Sequence, residues 1–212
     1  MSILLFTDAQ ACAQTLPLLA PSGFREVIVL LHGGSTALAE PLLAHYPEMV
    51  QVDIASPRFA RLNFDAIGLL IVDLPRVHLE SSGGRRLMDA LGKLAQESLA
   101  LAFVGDSVSV VGGALLDGVH AGLSLVPATA VIPDLRGVGD LRALLAALSA
   151  RGTRLLALDA PVGVRYDAQR DRLQVHGRGS ALMAAFRHSA AGEPPAARIH
   201  VLTDGMESAW PT

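Results

Sequence analysis

The apolar residues of this chain fall into short unbroken runs, separated by segments whose apolar positions recur at helical spacing. Glu26-Val-Ile-Val-Leu-Leu31 is β-branched and apolar on successive positions, as a parallel strand covered on both faces must be. Ser2 to Phe6, Met49 to Ile54 and Ala66 to Val72 read as further strands, the last reached through Asn63-Phe-Asp65. Between them, Thr7 to Ala20 predicts a small Ala-rich helix closed by Pro21-Ser22-Gly23. Ala37 to Tyr46 predicts another, with Ser35 or Thr36 as its N-cap. Gly83 to Leu99 is amphipathic, with Leu87, Leu91 and Leu94 on one face. Val138 to Arg151 carries a stripe of Leu141, Leu144, Leu145 and Leu148 and ends on Gly152, a C′ glycine.

In the second half of the chain, strands come to predominate. Gly122 to Ile132 is extended and apolar, and Thr153 to Leu158 reads as a strand. Val162 to Tyr166 and Arg172 to His176 form a hairpin around Asp167-Ala-Gln-Arg-Asp171. Ser180 to Phe186 and Ala197 to Leu202 are expected to close the sheet, with His188 to Ala196 a polar loop between them. Strands alternating with helices and then giving way to strands alone imply a three-layer α/β/α sandwich. Its sheet is expected to be mostly parallel with a C-terminal antiparallel extension, all within one domain spanning residues 1–212.

One run stands apart. Leu99 to Leu116 reads as a buried strand entering a tight turn at Ser107, with an apolar helix starting behind it. That is the outline of a nucleophile elbow, although the trailing glycine of G-x-S-x-G is here Ser109. The carboxyl end of a buried strand is where open α/β sheets place their sites. A serine there needs a base, and the base needs an orienting acid. His120 and Asp117, in Asp117-Gly-Val-His-Ala-Gly122, are the nearest following pair. An α/β-hydrolase order can also be assembled from Ser107, Asp159 and then His176 or His188. Oxyanion donors would come from the backbone of Val108 and from Gly33 and Gly34, since His32-Gly33-Gly34 after a strand resembles an esterase loop. Each feature has a plainer counterpart: a turn serine capping the next helix, a solvated loop histidine, a strand-to-helix glycine turn.

Composition narrows the remaining classes. The chain is 51 % hydrophobic, 17 % charged and 4 % aromatic, so it can bury a large, aliphatic core. A net charge of −3 without a Lys/Arg cluster gives no electrostatic footing for nucleic acid. The single cysteine, Cys12, excludes an internal disulfide and a cysteine-based metal site and is expected to be buried. The histidines lack zinc-type spacing, and neither a Walker A lysine motif nor G-x-G-x-x-G is present, so no metal or cofactor is expected. Gly105, Asp106, Gly112 and Gly113 break the one run long enough to raise the question of a membrane span. Met1 to Asp8 lacks the basic start of a secretory leader, so the expected location is cytoplasmic.

The order of segments resembles the cyanophycinase and dipeptidase E family, serine peptidases on a glutamine-amidotransferase-like α/β fold. Gly105-Asp-Ser-Val-Ser-Val110 stands where that family has G-T-S-A-G-A. Ala121-Gly-Leu-Ser-Leu-Val126 stands in its GLGLL-type run, and Leu156-Ala-Leu-Asp-Ala-Pro-Val-Gly-Val164 resembles its G-I-D-E-x-T-A-L strand. Val175-His-Gly-Arg-Gly-Ser180 matches V-x-G-x-G-S, and His200-Val-Leu-Thr-Asp-Gly205 matches a terminal H-V-L-x-x-G.

The departures bear on activity. The family's catalytic histidine lies in D-Q-H-F, where this chain has Pro133-Asp134-Leu135-Arg136 and no imidazole. Its Gly-Gly-Asp-Gln oxyanion loop falls near Val72-Asp73-Leu74-Pro75, which keeps Asp73 but neither glycine, and whose proline lacks an N–H. The acidic residue of the I-D-E strand has become Ala160. The resemblance therefore implies a peptidase-type fold with a degenerate site, non-catalytic or repurposed. An active hydrolase would need a rebuilt triad of Ser107, His120 and either Asp117 or Asp134. A third reading is a binding or assembly module. The partners expected are a peptide or small-molecule ligand near Ser107 and a second copy of the chain, paired through an apolar helix or edge strand.

Overall fold

The computed structural model describes residues 2–20, 26–31, 38–75, 87–91, 100–113, 122–186 and 196–211. The unbroken apolar runs become the strands of a parallel sheet: β1 (Ser2–Phe6), β2 (Val27–Leu31), β3 (Val50–Asp53), β4 (Leu69–Asp73) and β5 (Ala100–Val104). All five residues of β2 and of β5 are buried, as strands with packed faces on both sides require. The hairpin follows as β8 (Val162–Asp167) and β9 (Arg172–Gly177), with β12 (Glu207–Ala209) along its outer edge. Together these make an eight-stranded sheet in the order β12-β9-β8-β1-β5-β4-β2-β3. The β1, β5, β4, β2 and β3 neighbours are parallel, whereas β8, β9 and β12 join in antiparallel register. The mostly parallel sheet with an antiparallel extension is thus the architecture.

The two strands expected to close that sheet, Ser180 to Phe186 and Ala197 to Leu202, join two others in a sheet of their own. β6 (Thr129–Ile132), β7 (Arg154–Asp159), β10 (Ser180–Phe186) and β11 (Ala197–Leu202) form a second sheet of four strands, ordered β11-β10-β7-β6. Alternation explains the separation. Leu156, Leu158, Ala181 and Met183 pack against Tyr166 and Val175 of the large sheet, while Leu155, Ala157 and Ala184 turn the other way. The second sheet therefore has two apolar faces of its own and stacks on the first rather than extending it.

Helices cover the remaining faces. α1 (Ala9–Leu19) is capped by Asp8, whose Oδ1 accepts from Ala11 N–H at 2.7 Å. It packs with the short α2 (Ala39–Leu43) side of the chain on Leu4, Val29, Leu31 and Ile71. Helical residues 87–91 place Leu87 and Leu91 on the opposite face, against Leu70 and Phe103. α3 (Leu141–Arg151) covers the outer face of the second sheet through Leu148, flanked by half-buried Leu144 and Leu145. Its cap is as the sequence reads: Asp140 accepts from Ala143 N–H, and Gly152 takes the left-handed conformation at φ 61°. The remainder of the Gly83–Leu99 helix, including Leu94, lies outside the described residues, as do Ser35, Thr36 and the Pro21-Ser22-Gly23 turn. Among the described residues, no helix is long and apolar enough to cross a membrane.

Candidate functional site at the carboxyl edge

Ser107 sits where the sequence places it, just past the carboxyl end of the central strand β5, but the turn is built differently from the expected elbow. Among the described residues no α-helix starts behind it: Gly105–Val111 is a 3-10 helix, and the chain is extended again at Gly112. The run Val108-Ser-Val-Val111 is β-branched at most positions and followed by Gly112-Gly113, a composition that disfavours an α-helix. Instead the chain pairs with residues 122–126. Leu123 N–H donates to Val110 O, Leu125 N–H to Val111 O and Ser124 N–H to Gly112 O, at 2.7, 2.9 and 3.0 Å.

The left-handed residue of the turn is Gly105, at φ 59°, not the serine. Ser107 is fully buried, and its hydroxyl is engaged with backbone on every side. Oγ accepts from Val104 N–H at 2.9 Å, and its proton is directed to Val72 O at 2.7 Å or Val104 O at 2.8 Å. A serine at the third helical position is thereby accepting the N-cap N–H, as the acidic residue of a capping box does. Carbonyl oxygens cannot take up the proton that a serine must lose to become a nucleophile. Val108, whose backbone was an oxyanion candidate, buries its side chain in the core between the sheets.

The other described candidates are engaged with partners of their own. His176, on β9, has Nδ1 3.4 Å from Asp204 Oδ1 and Nε2 3.2 Å from the Gln174 amide nitrogen. Asp134 is exposed and ion-paired with Arg136 at 3.0 Å, and that guanidinium holds its carboxyl below the usual range. Asp159 lies at the end of β7 in the second sheet, 3.8 Å from Arg136 Nε. Gly33, Gly34, Asp117, His120 and His188 lie outside the described residues. Among the described residues no group of His, Cys, Asp and Glu is arranged to hold a metal ion.

What does gather near Ser107 is carboxylate. Asp73 ends β4 and Asp106 follows β5, close enough that Asp106 adds to burial in raising the Asp73 carboxyl above its ordinary range. Asp8 follows β1, and burial first, then Asp73 and Asp8, push the Cys12 thiol up. Cys12 is consequently a buried thiol rather than a nucleophile. Only Asp73 of these acids stood out in the sequence. The signal for the others was positional, since each acid ends or closely follows an unbroken apolar run, at the carboxyl end of a parallel strand.

No family model matches the chain, and no curated protein matches it by sequence. Solved structures do match. A peptidase from an acI-B1 actinobacterium superposes with a TM-score of 0.68 at 13 % identity, covering 99 % of this chain and 96 % of that one. A protein from Listeria monocytogenes EGD-e that carries the name peptidase E superposes with a TM-score of 0.58 at 9 % identity, over 84 % of this chain and 98 % of that one. The fold is peptidase E-like.

In this peptidase E-like frame the half-buried Asp73 gives the carboxyl edge a measurable pH signature. Burial and Asp106 both disfavour its charged form, so the folded state holds the proton more tightly than the unfolded chain does. Asp73 accordingly contributes stability below the ordinary carboxylate range and loses it as pH rises through the folded value. Asp73→Asn is expected to raise the unfolding free energy at pH 7 by about 0.5–2 kcal/mol, the range of surface-charge corrections, and to give no gain at pH 3. Urea midpoints at the two pH values measure both.

Proposed function

We propose that this chain is a peptidase E-like fold whose serine site is degenerate, with Ser107 serving the turn rather than hydrolysis. The observation that carries this reading is the Ser107 hydroxyl: fully buried, accepting from one backbone N–H, and aimed at carbonyl oxygens. A catalytic serine instead presents its oxygen to substrate beside an imidazole, with N–H donors placed for the oxyanion. The absence of an imidazole from Pro133-Asp134-Leu135-Arg136 supports the same reading. A peptide or small-molecule ligand at this edge would meet the carboxylates of Asp73 and Asp106 in place of a nucleophile.

The test is covalent. The folded chain, incubated with a fluorophosphonate beside an active serine hydrolase as control, is expected to gain no adduct at Ser107 by peptide mass mapping. It is also expected to release no product from aspartyl dipeptides. An adduct on Ser107 would overturn the proposal in favour of a triad completed by His120 and either Asp117 or Asp134.

A further inference from the structure

At the far end of the large sheet, the outer face of β8, β9 and β12 forms an open cleft of about 120 Å³. Register explains its lining. Arg165 lies opposite Gln174, which lies opposite Glu207, and Asp167 faces Arg172 in the adjacent row. Arg170 reaches the cleft from the hairpin turn.

The charges do not balance. Arg172 Nη1 is 3.1 Å from Glu207 Oε1, and Arg170 Nη1 is 3.8 Å from Asp167 Oδ2. Arg165, half-buried between them, has no carboxylate partner among the described residues. Side chains directly opposite or diagonal across paired strands are within reach of one another, so this guanidinium stands among two others while partly withdrawn from water. An anion in the cleft would relieve both conditions.

We propose that this cleft binds a carboxylate, with the fork of Arg165 as its principal ligand. The class follows from the charge and shape of the lining. Three guanidinium groups against two carboxylates leave a single positive charge, which one carboxylate neutralises. A phosphate dianion would bring a second negative charge against Asp167 and Glu207. The planar guanidinium also matches the two oxygens of a carboxylate in parallel hydrogen bonds. The cleft is separate from the elbow: Asp167 pairs with Ser2 at the start of β1, whereas Phe6, at the other end of that strand, pairs with Val104 beside Ser107.

Titration of the isotopically labelled chain with N-acetylglycine, followed through backbone amide resonances, tests the proposal. Inorganic phosphate and sodium chloride at matched ionic strength serve as comparisons. Saturable shifts confined to residues 165–174 and 207 are expected. Arg165→Gln is expected to weaken binding by about tenfold or more, the scale of one charge-assisted pair. Arg165→Lys, which keeps the charge without the fork, should weaken it as well and serves if the glutamine variant fails to fold. Equal shifts with phosphate or chloride, shifts elsewhere, or undiminished affinity in a folded Arg165 variant would overturn it.

Discussion

Ser107→Ala is expected to cost the chain about 1–3 kcal/mol of stability, the penalty for leaving a buried polar group unpaired. The alanine fits the space, so the loss is electrostatic. Val104 N–H, at the end of the central strand, loses its acceptor, and Val72 O and Val104 O lose the proton they share. Urea unfolding with an unchanged slope and a lower midpoint would report it. The outcome separates two roles for the serine. A side chain held for catalysis is commonly neutral or costly to the fold, and removing it leaves stability unchanged or raised. A stabilised Ser107→Ala would therefore count against the structural role as strongly as an adduct would.

Gly122→Ala is expected to do more damage, about 3 kcal/mol or above, at the upper end of overpacking effects. A Cβ at Gly122 would run into the carbonyl oxygens of Gly112 and Val110. These are backbone atoms, which cannot turn aside as the tip of a side chain can. Relief requires residues 122–126 to lift from residues 110–113, breaking the hydrogen bonds of Leu123 and Leu125. Loss of hydrogen-exchange protection at those two amides, with β1 and β5 still protected, would locate the damage to the turn.

The parallel core of the large sheet was legible because β2 and β5 are buried on both faces. Val27–Leu31 and Ala100–Val104 have no polar position to blur them, and a short unbroken apolar run reads as a covered strand. α3 was legible from its stripe and from Gly152. The second sheet was not, because alternation in Arg154–Asp159 and Ser180–Phe186 shows that two faces exist but not which neighbours meet them. β12 was missed because Glu207-Ser-Ala209 is polar and exposed at two of its three positions, and its strand character rests on backbone pairing with β9. At the candidate site, the sequence located Ser107 at the right strand end. It could not show that the hydroxyl turns inward, because that depends on Val72 in a strand 35 residues away.

The position of β1 has a consequence for how the chain is made. It is synthesised before the other strands of the sheet yet lies inside it, between β5 and β8. The backbone bond from Thr7 N–H to Val162 O, and the return bond from Val162 N–H to Thr7 Oγ1, span 155 residues. At about 5–20 residues per second, a ribosome takes roughly eight to thirty seconds to deliver the second partner. Throughout that interval Ile3, Leu4, Leu5 and Phe6, each at most 1 % exposed in the finished fold, have at most the β5 ladder on one side and lack the β8 ladder that completes their burial. The sheet's centre is thus its oldest segment and among its last to be completed, and early folding depends on shielding five residues until the hairpin emerges.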